Sequence, residues 1–332
     1  MNVAVIGAGS WGTALANLLV GRGHTVKIWA REPEVVDSIN TQHENTLFLP
    51  RFSLEDGLLA HGDISNVLHQ ADLVLSACPS HAVREIATQM ASELEAHSPL
   101  IVSVSKGLET ETLKPMTDVL QEVLPGKRVV ALSGPSFADE VCKRYPTTVV
   151  AASVDSAAAE AVQLAMVSEY FRIYTSTDPL GVQLGGALKN VIAIASGLLD
   201  GLGLGYNSKA ALITRGLAEI ARLGQALGCD AMTFAGLAGM GDLILTAFGP
   251  QSRNRSLGQE LASGRSLDEI LKERVTVAEG VRTTRAAVRL GEKMGVELPI
   301  AMEVERILFE GKEPRQALRD LMERGLKPEN WS

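Results

Sequence analysis

Residues 3–12 read VAVIGAGSWG, a short apolar run that breaks into Gly7, Gly9 and Gly12. The run Val3 to Ile6 predicts a buried parallel strand feeding a helix that begins near Ser10. In that geometry Gly7 allows a tight turn, Gly9 lets the backbone approach a pyrophosphate, and Gly12 permits close packing of helix on strand. The unpaired N–H groups of the helix start then face the phosphates. A plain Gly-rich connection could have the same composition, but the context favours a nucleotide: the apolar segment TVKIWA at Thr25 to Ala30 closes a βαβ unit of about 30 residues.

An NAD-specific site usually places Asp or Glu at the end of the second strand to hold the ribose hydroxyls. Here the strand ends Trp29-Ala30-Arg31, and a guanidinium there can pair with a 2′-phosphate or stack on adenine. The expected cofactor is therefore NADPH, with NADH as a second because Glu32 follows.

The chain has 332 residues, 46% hydrophobic and 21% charged, which suits a globular protein large enough for two domains. A formal charge of −8 argues against nucleic acid as the main partner while leaving room for a local cationic pocket. Cys78, Cys142 and Cys229 are far apart and form no C-x-x-C pair, so buried thiols are expected rather than disulfides or a metal site. Met1 leads almost directly into the first strand, and no apolar run is expected to reach membrane-spanning length. The expectation is a cytoplasmic protein without membrane insertion.

Strand-like runs alternate with helical patterns through the first half: LVLSAC (73–78), LIVSVS (100–105), VVALS (129–133), TTVVAAS (147–153) and FRIYTS (171–176), with helical stretches such as 82–94 and 116–123 between them. That alternation predicts an α/β fold with a Rossmann-like, doubly wound sheet over residues 1–178. From Pro179 the pattern changes to Ala, Leu and Gly at helical spacing, predicting an all-helical domain over 179–332 whose small residues allow close packing. Ligands bind beyond the carboxyl ends of strands in open α/β sheets, so the loops at 79–80, 106–107 and 134–136 are where chemistry is expected.

In the helical half, GGALKNVIAIASG sets Lys189 in an apolar helix. Burial disfavours the charged form of a lysine, which suits it to proton transfer near neutral pH; the alternative is a stem packed on apolar surface with its head in water. AGMGDLILTAFGPQSRNRSLG places Asp242 in a Gly-rich turn, Thr246 one helical turn later, and Ser252-Arg253-Asn254 ahead of another helix. Hydroxyl, amide, guanidinium and helix N–H groups can converge there on an anion. Taken singly, Asp242 also reads as a turn or cap residue, and Arg253 and Arg255 as a solvated face.

Taken together and in order, GAGSWGTALA, SVSKGLE around Lys106, ALSGPSFADE around Ser136, GALKNVIAIASG around Lys189, AGMGDLILT around Asp242 and SRNRSLG around Arg253 resemble the glycerol-3-phosphate dehydrogenase family in its bacterial, NAD(P)-using form. The resemblance spans nearly the whole chain. It implies reversible reduction of dihydroxyacetone phosphate to sn-glycerol 3-phosphate, which supplies glycerophospholipid synthesis. The family's proton-transferring lysine falls on Lys189, its second active-site lysine on Lys106, and its positioning carboxylate on Asp242. Asn190 and Thr246 fall on recurring substrate positions. Ser252, Arg253 and Asn254 match the substrate-phosphate segment, and Gly134 and Ser136 the contacts from the first domain. Cofactor contacts fall on Gly7, Gly9, Ser10, Trp11, Gly12, Arg31, Lys106, Ala138, Arg253, Val277 and Glu279. A homodimer is the expected assembly.

One segment departs from the family's N-x-x-Y-L-P-G-x-x-L-P loop: residues 45–56 read NTLFLPRFSLED, with Phe48 for the aromatic hydroxyl and Arg51 for the glycine. The conformation of this loop and its contact with adenine are left open by the sequence. The nearest rival readings are β-hydroxyacid, hydroxyacyl-CoA and ketopantoate reductases on the same architecture, and a nucleotide-binding sensor without turnover. A hydroxyacyl-CoA enzyme is expected to use a His-Glu pair, and this chain has no histidine after His97.

Overall fold

The computed structural model describes residues 1–95, 97–274 and 278–329. The chain divides into two compact units: Met1–Lys106 with Lys114–Gln183, and Gly107–Leu113 with Leu184–Ser332. Two segments thus group differently from the 178/179 boundary expected from composition. Gly107–Leu113 joins the helical unit, and residues 179–183 stay with the first.

The first unit is built on the strands β1 (Asn2–Ile6), β2 (Thr25–Trp29), β3 (Leu58–His61), β4 (Leu73–Ser76), β5 (Leu100–Ser103), β6 (Val129–Ser133), β7 (Thr147–Ala152) and β8 (Phe171–Ser176). They form one sheet in the order β3-β2-β1-β4-β5-β6-β7-β8, so the chain reverses direction across the sheet between β1 and β4. Pairing is parallel except for β6 with β7, which is antiparallel in a register that sets Leu132 opposite Ala151. The strand β3 was not anticipated from the sequence.

Side chains alternate across the sheet as strand geometry demands. Val3 and Val5 of β1 join one core with Leu15 and Leu19 of α1 (Ser10–Gly21), while Ala4 and Ile6 join the opposite core with Met90 of the helix Val83–Ala91 and Leu120 of the helix Met116–Val123. Both faces of β1 are therefore dry, which is why it reads as an unbroken apolar run.

Among the described residues the second unit contains no strand. Its central helix, α2 (Pro179–Gly201), is long and apolar enough by composition to cross a membrane, contrary to the expectation of no such run. Its apolar window is fully buried within the protein, so it is a core helix whose lipid-like composition reflects contact with other helices. Close packing is real: a Cβ on Gly197 would stand 1.9 Å from the Arg255 carbonyl oxygen, and one on Gly258 2.1 Å from that of Ile194. Only glycine lets these two backbones touch. Of the thiols, Cys78 and Cys229 are buried as expected, but Cys142 is half-exposed. Burial and the nearby Asp139 still push its thiol up to about 12, leaving no thiolate at neutral pH.

Candidate functional site

The Gly-rich turn takes the form the spacing predicts. Gly9 caps α1, whose first intrahelical bond runs from the Thr13 N–H to the Gly9 carbonyl at 2.9 Å. The amides of residues 10–12 precede that bond and form the open end of the helix. Gly7 has φ +117°, and a Cβ there would press against the Ala77 backbone at 2.9 Å. A Cβ on Gly12 would stand 2.0 Å from the Gly7 carbonyl oxygen, whereas one on Gly9 would meet nothing within 4 Å. Two glycines are thus required by the protein's own packing, and the third borders open space. Trp11 Nε1 is buried without a hydrogen-bond partner among the described residues, a donor that a ligand can use. The turn fits a dinucleotide.

The divergent loop is docked on this turn. Asn45 is fully buried and donates to the Ala8 carbonyl (2.7 Å) and Thr13 Oγ1 (2.9 Å), while its Oδ1 accepts from the Phe48 N–H (3.0 Å). Ser10 Oγ donates to the Phe48 carbonyl at 2.5 Å. Arg51 keeps the left-handed backbone that a glycine would adopt freely, at φ +72°, and its N–H donates to the Glu44 carboxylate at 2.6 Å. The loop keeps its turn without the glycine.

Arg31 projects into solvent, 81% exposed, and its guanidinium donates through Nε and Nη2 to one oxygen of Glu32 at 3.2 and 2.9 Å. It borders a cavity of about 310 Å³ shared with Pro33, Val36, Asp37, Asn40 and Gly62. Asp37 is a carboxylate in this wall that the sequence reading missed, because it lies within the following helix (Pro33–Gln42) and not at the strand end.

Farther along the sheet, Gly134 follows β6 at φ +142°, where a Cβ would meet the Val149 Cα at 2.9 Å. Its carbonyl accepts from Lys106 Nζ (2.9 Å) and Ser136 Oγ (3.0 Å). Two of the loops predicted to carry chemistry, 106–107 and 134–136, thus meet at the Gly134 carbonyl. Ala138 opens the short helix just beyond.

In the second unit, Lys189 and Asp242 form a buried ion pair, with side chains 8% and 1% exposed. Lys189 Nζ also donates to Thr246 Oγ1 (2.6 Å), whose own hydroxyl donates to the Asp242 carbonyl (2.7 Å). Asp242 opens the helix α3 (Asp242–Phe248) after a π-turn at Leu237–Gly241, so Asp242 and Thr246 lie one turn apart on the face toward Lys189. Asp242 is therefore more than a cap.

The helix α4 (Arg253–Ala262) begins beside this pair. Ser252 caps it by accepting from the Arg255 N–H at 3.2 Å, which leaves its hydroxyl hydrogen able to donate. Asn254 donates to Asn190 Oδ1 (2.9 Å) and accepts from the Gly280 N–H (3.0 Å), tying the helix start to α2. The Arg253 guanidinium makes no hydrogen bond to the described residues. Arg253 is exposed, as the solvated-face alternative had it; partial desolvation beside the protein surface still holds its guanidinium below its usual range, Glu279 opposing and Arg274 adding to the effect. Arg255 is not on a solvated face as one reading had it: its Nε pairs with Asp200 at 2.5 Å, and Asp200 also holds the buried Lys209. Val277 lies outside the described residues, and Glu279 opens the helix Glu279–Met294. Among the described residues no cluster of His, Cys, Asp and Glu could hold a metal.

The chain matches the family descriptions NAD-dependent glycerol-3-phosphate dehydrogenase N-terminus over residues 2–159 and C-terminus over residues 178–319. It is 50% identical over 330 residues to the glycerol-3-phosphate dehydrogenase (NAD(P)+) of Geobacter sp. (strain M21), covering 98% of each chain. It is also 50% identical over 332 residues to that of Syntrophotalea carbinolica, covering 99% of each. The crystal structure of glycerol-3-phosphate dehydrogenase from Coxiella burnetii superposes with a TM-score of 0.93 at 37% identity, over 97% of this chain and 98% of that one. With both family regions matched and half of all positions identical across the full length, this chain belongs to the NAD-dependent glycerol-3-phosphate dehydrogenase family.

Proposed function

We propose that this chain catalyses the reversible, NAD(P)H-dependent reduction of dihydroxyacetone phosphate to sn-glycerol 3-phosphate, feeding glycerophospholipid synthesis. The observation that carries the reading is the Lys189–Asp242–Thr246 cluster, a cation built into an apolar helix and held by two partners. Burying a lysine without use is costly, and the partners aim Nζ at a defined point.

The nicotinamide cofactor, when bound, supplies the hydride. Gly7, Gly9, Ser10, Trp11 and Gly12 would hold it at the pyrophosphate turn, Arg31 at the ribose end, Lys106 beyond β5 and Ala138 beyond β6; the family resemblance adds Arg253, Val277 and Glu279. Lys189 as ammonium protonates the new alkoxide at C2 of the product, and as amine removes that proton in the reverse direction. Asp242 and Thr246 hold Nζ in place. Lys106 polarises the carbonyl oxygen of the substrate. Gly134, Ser136 and Asn190 contact the substrate body, and the Asn190 amide nitrogen, without a partner among the described residues, is free to donate to a hydroxyl. Ser252, Arg253 and Asn254 take the phosphate at the start of α4, where guanidinium, hydroxyl and helix N–H groups coincide.

NADPH is the preferred cofactor in this reading because Arg31 can exchange Glu32 for a 2′-phosphate. NADH is accepted as well. The enzyme works in the cytoplasm as a homodimer, without nucleic acid or membrane insertion.

The test follows oxidation of NADPH and then NADH when the purified protein meets dihydroxyacetone phosphate, with ketopantoate and acetoacetyl-CoA as comparison substrates. Turnover with dihydroxyacetone phosphate alone is expected. Turnover only with a comparison substrate would keep the fold and discard the phosphate site.

A further inference from the structure

Arg253 carries the proposed phosphate contact, yet its own side chain has no hydrogen-bond partner among the described residues, so the placement of its guanidinium depends on how firmly its backbone is held. One residue grips that backbone directly. Arg274, at the end of the helix Leu267–Glu273, donates from Nη1 to the Arg253 carbonyl at 2.8 Å. Its Nη2 donates to Ser256 Oγ at 3.0 Å and to the Glu260 carboxylate, both on α4. The Arg274 side chain is only 15% exposed, and Glu260 is braced in turn by Arg265 at 2.7 Å.

Three acceptors along the first two turns of α4 thus converge on one planar guanidinium. The arrangement is more specific than a charge pair needs. A lysine has the charge but not the fork that reaches a carbonyl, a hydroxyl and a carboxylate at once.

We propose that Arg274 is a positioning residue for substrate-phosphate binding: by clamping the Arg253 carbonyl, Ser256 and Glu260, it fixes the start of α4 so that the Arg253 guanidinium meets the phosphate. This rests on the reading of Arg253 as the phosphate-binding residue. Arg274 does not itself take part in the chemistry. Its loss therefore weakens phosphate recognition and leaves proton transfer at Lys189 unaffected.

The experiment measures KM and kcat for dihydroxyacetone phosphate, the inhibition constant of inorganic phosphate, and Tm for Arg274→Ala, Arg274→Lys, Arg253→Ala and the Arg253→Ala/Arg274→Ala pair. Arg274→Ala is expected to raise KM and the phosphate inhibition constant by about tenfold with kcat within about twofold, the pattern of lost binding and not of lost chemistry. Arg274→Lys should remain impaired; full recovery would mean that charge alone matters and would overturn the positioning role. In the Arg253→Ala background, Arg274→Ala should add nothing, because it acts through the missing side chain. Additive losses, or an equal fall in kcat, would also overturn the inference. If Arg274→Ala does not fold, Glu260→Gln weakens the same clamp and should raise KM in the same direction; an unchanged KM there would count against it. An unchanged KM in Arg253→Ala would instead remove the phosphate reading itself, so the two failures are distinguishable.

Discussion

Lys189 and Asp242 lie 53 positions apart in the chain, and the fold closes them into one ion pair sealed from solvent, with Thr246 as the third member. Removing one partner of such a pair leaves a buried charge uncompensated, at a cost of about 3–5 kcal/mol. Lys189→Met is therefore expected to lower stability by about that amount and kcat by about 10²–10⁴-fold, the range for loss of a general acid–base group. The double variant Lys189→Met/Asp242→Asn removes both charges and should regain much of the stability while staying inactive. Urea melts and turnover rates of the two variants check this. If turnover returned with stability, Lys189 would be structural.

The sheet was legible because its central strands are dry on both faces: VAVI at residues 3–6 and LVLS at residues 73–76 cannot be other than interior. The strand Leu58–His61 was not legible, being a four-residue edge strand with Leu59 half in solvent. Nor does any residue of β7 encode that it runs against β6. In the site, the Gly-rich turn was readable because its function depends on contiguous residues. The Lys189–Asp242 contact, the reach of Lys106 to the Gly134 carbonyl, and the clamp of Arg274 on α4 join residues distant in sequence. Spacing carries no record of them, and only the family resemblance pointed to some.

Cofactor choice should follow the Arg31–Glu32 pair. A charge-assisted contact to a 2′-phosphate contributes roughly 1.5–3 kcal/mol, so Arg31→Ala is expected to weaken NADPH binding by about tenfold or more while NADH changes by less than about threefold. Glu32→Gln releases Arg31 and should tighten NADPH binding a few-fold. Fluorescence titration of each reduced cofactor measures both effects. Equal losses of NADPH and NADH in Arg31→Ala would show that the guanidinium stacks on adenine instead.

At Arg51 the chain holds a side chain in left-handed backbone, φ +72°, where the family pattern has glycine. The steric cost of that conformation is roughly 1–2 kcal/mol, offset in part by the extra entropy a glycine has when unfolded. Arg51→Gly is expected to stabilise the protein by about 0.5–1 kcal/mol and to raise Tm by about 1 °C. Calorimetry on the two proteins tests this, with the Arg51→Ala variant as the control that keeps the strain. A gain shared by Arg51→Ala would assign the effect to the charge and not to the backbone.

Glu219 is a buried carboxylate outside the proposed catalytic set, and it ties stability to pH. It accepts from the Ile300 N–H at 2.9 Å and the Ala301 N–H at 3.5 Å, at the start of the helix Pro299–Glu310. Burial raises its pKa from 4.5 to about 7, against the pull of those N–H groups and of Arg222 and Arg324. Between those two values the folded protein holds a proton that the unfolded chain has released, so stability falls as pH rises through the window and levels off above it. At 1.36 kcal/mol per unit the full swing is about 3 kcal/mol. Glu219→Gln, which cannot ionise, should remove this slope and so be at its most stable relative to wild type near neutral pH and above. Urea melts at about pH 5 and about pH 8 decide it: a wild-type slope that survives the substitution would place the titrating group elsewhere.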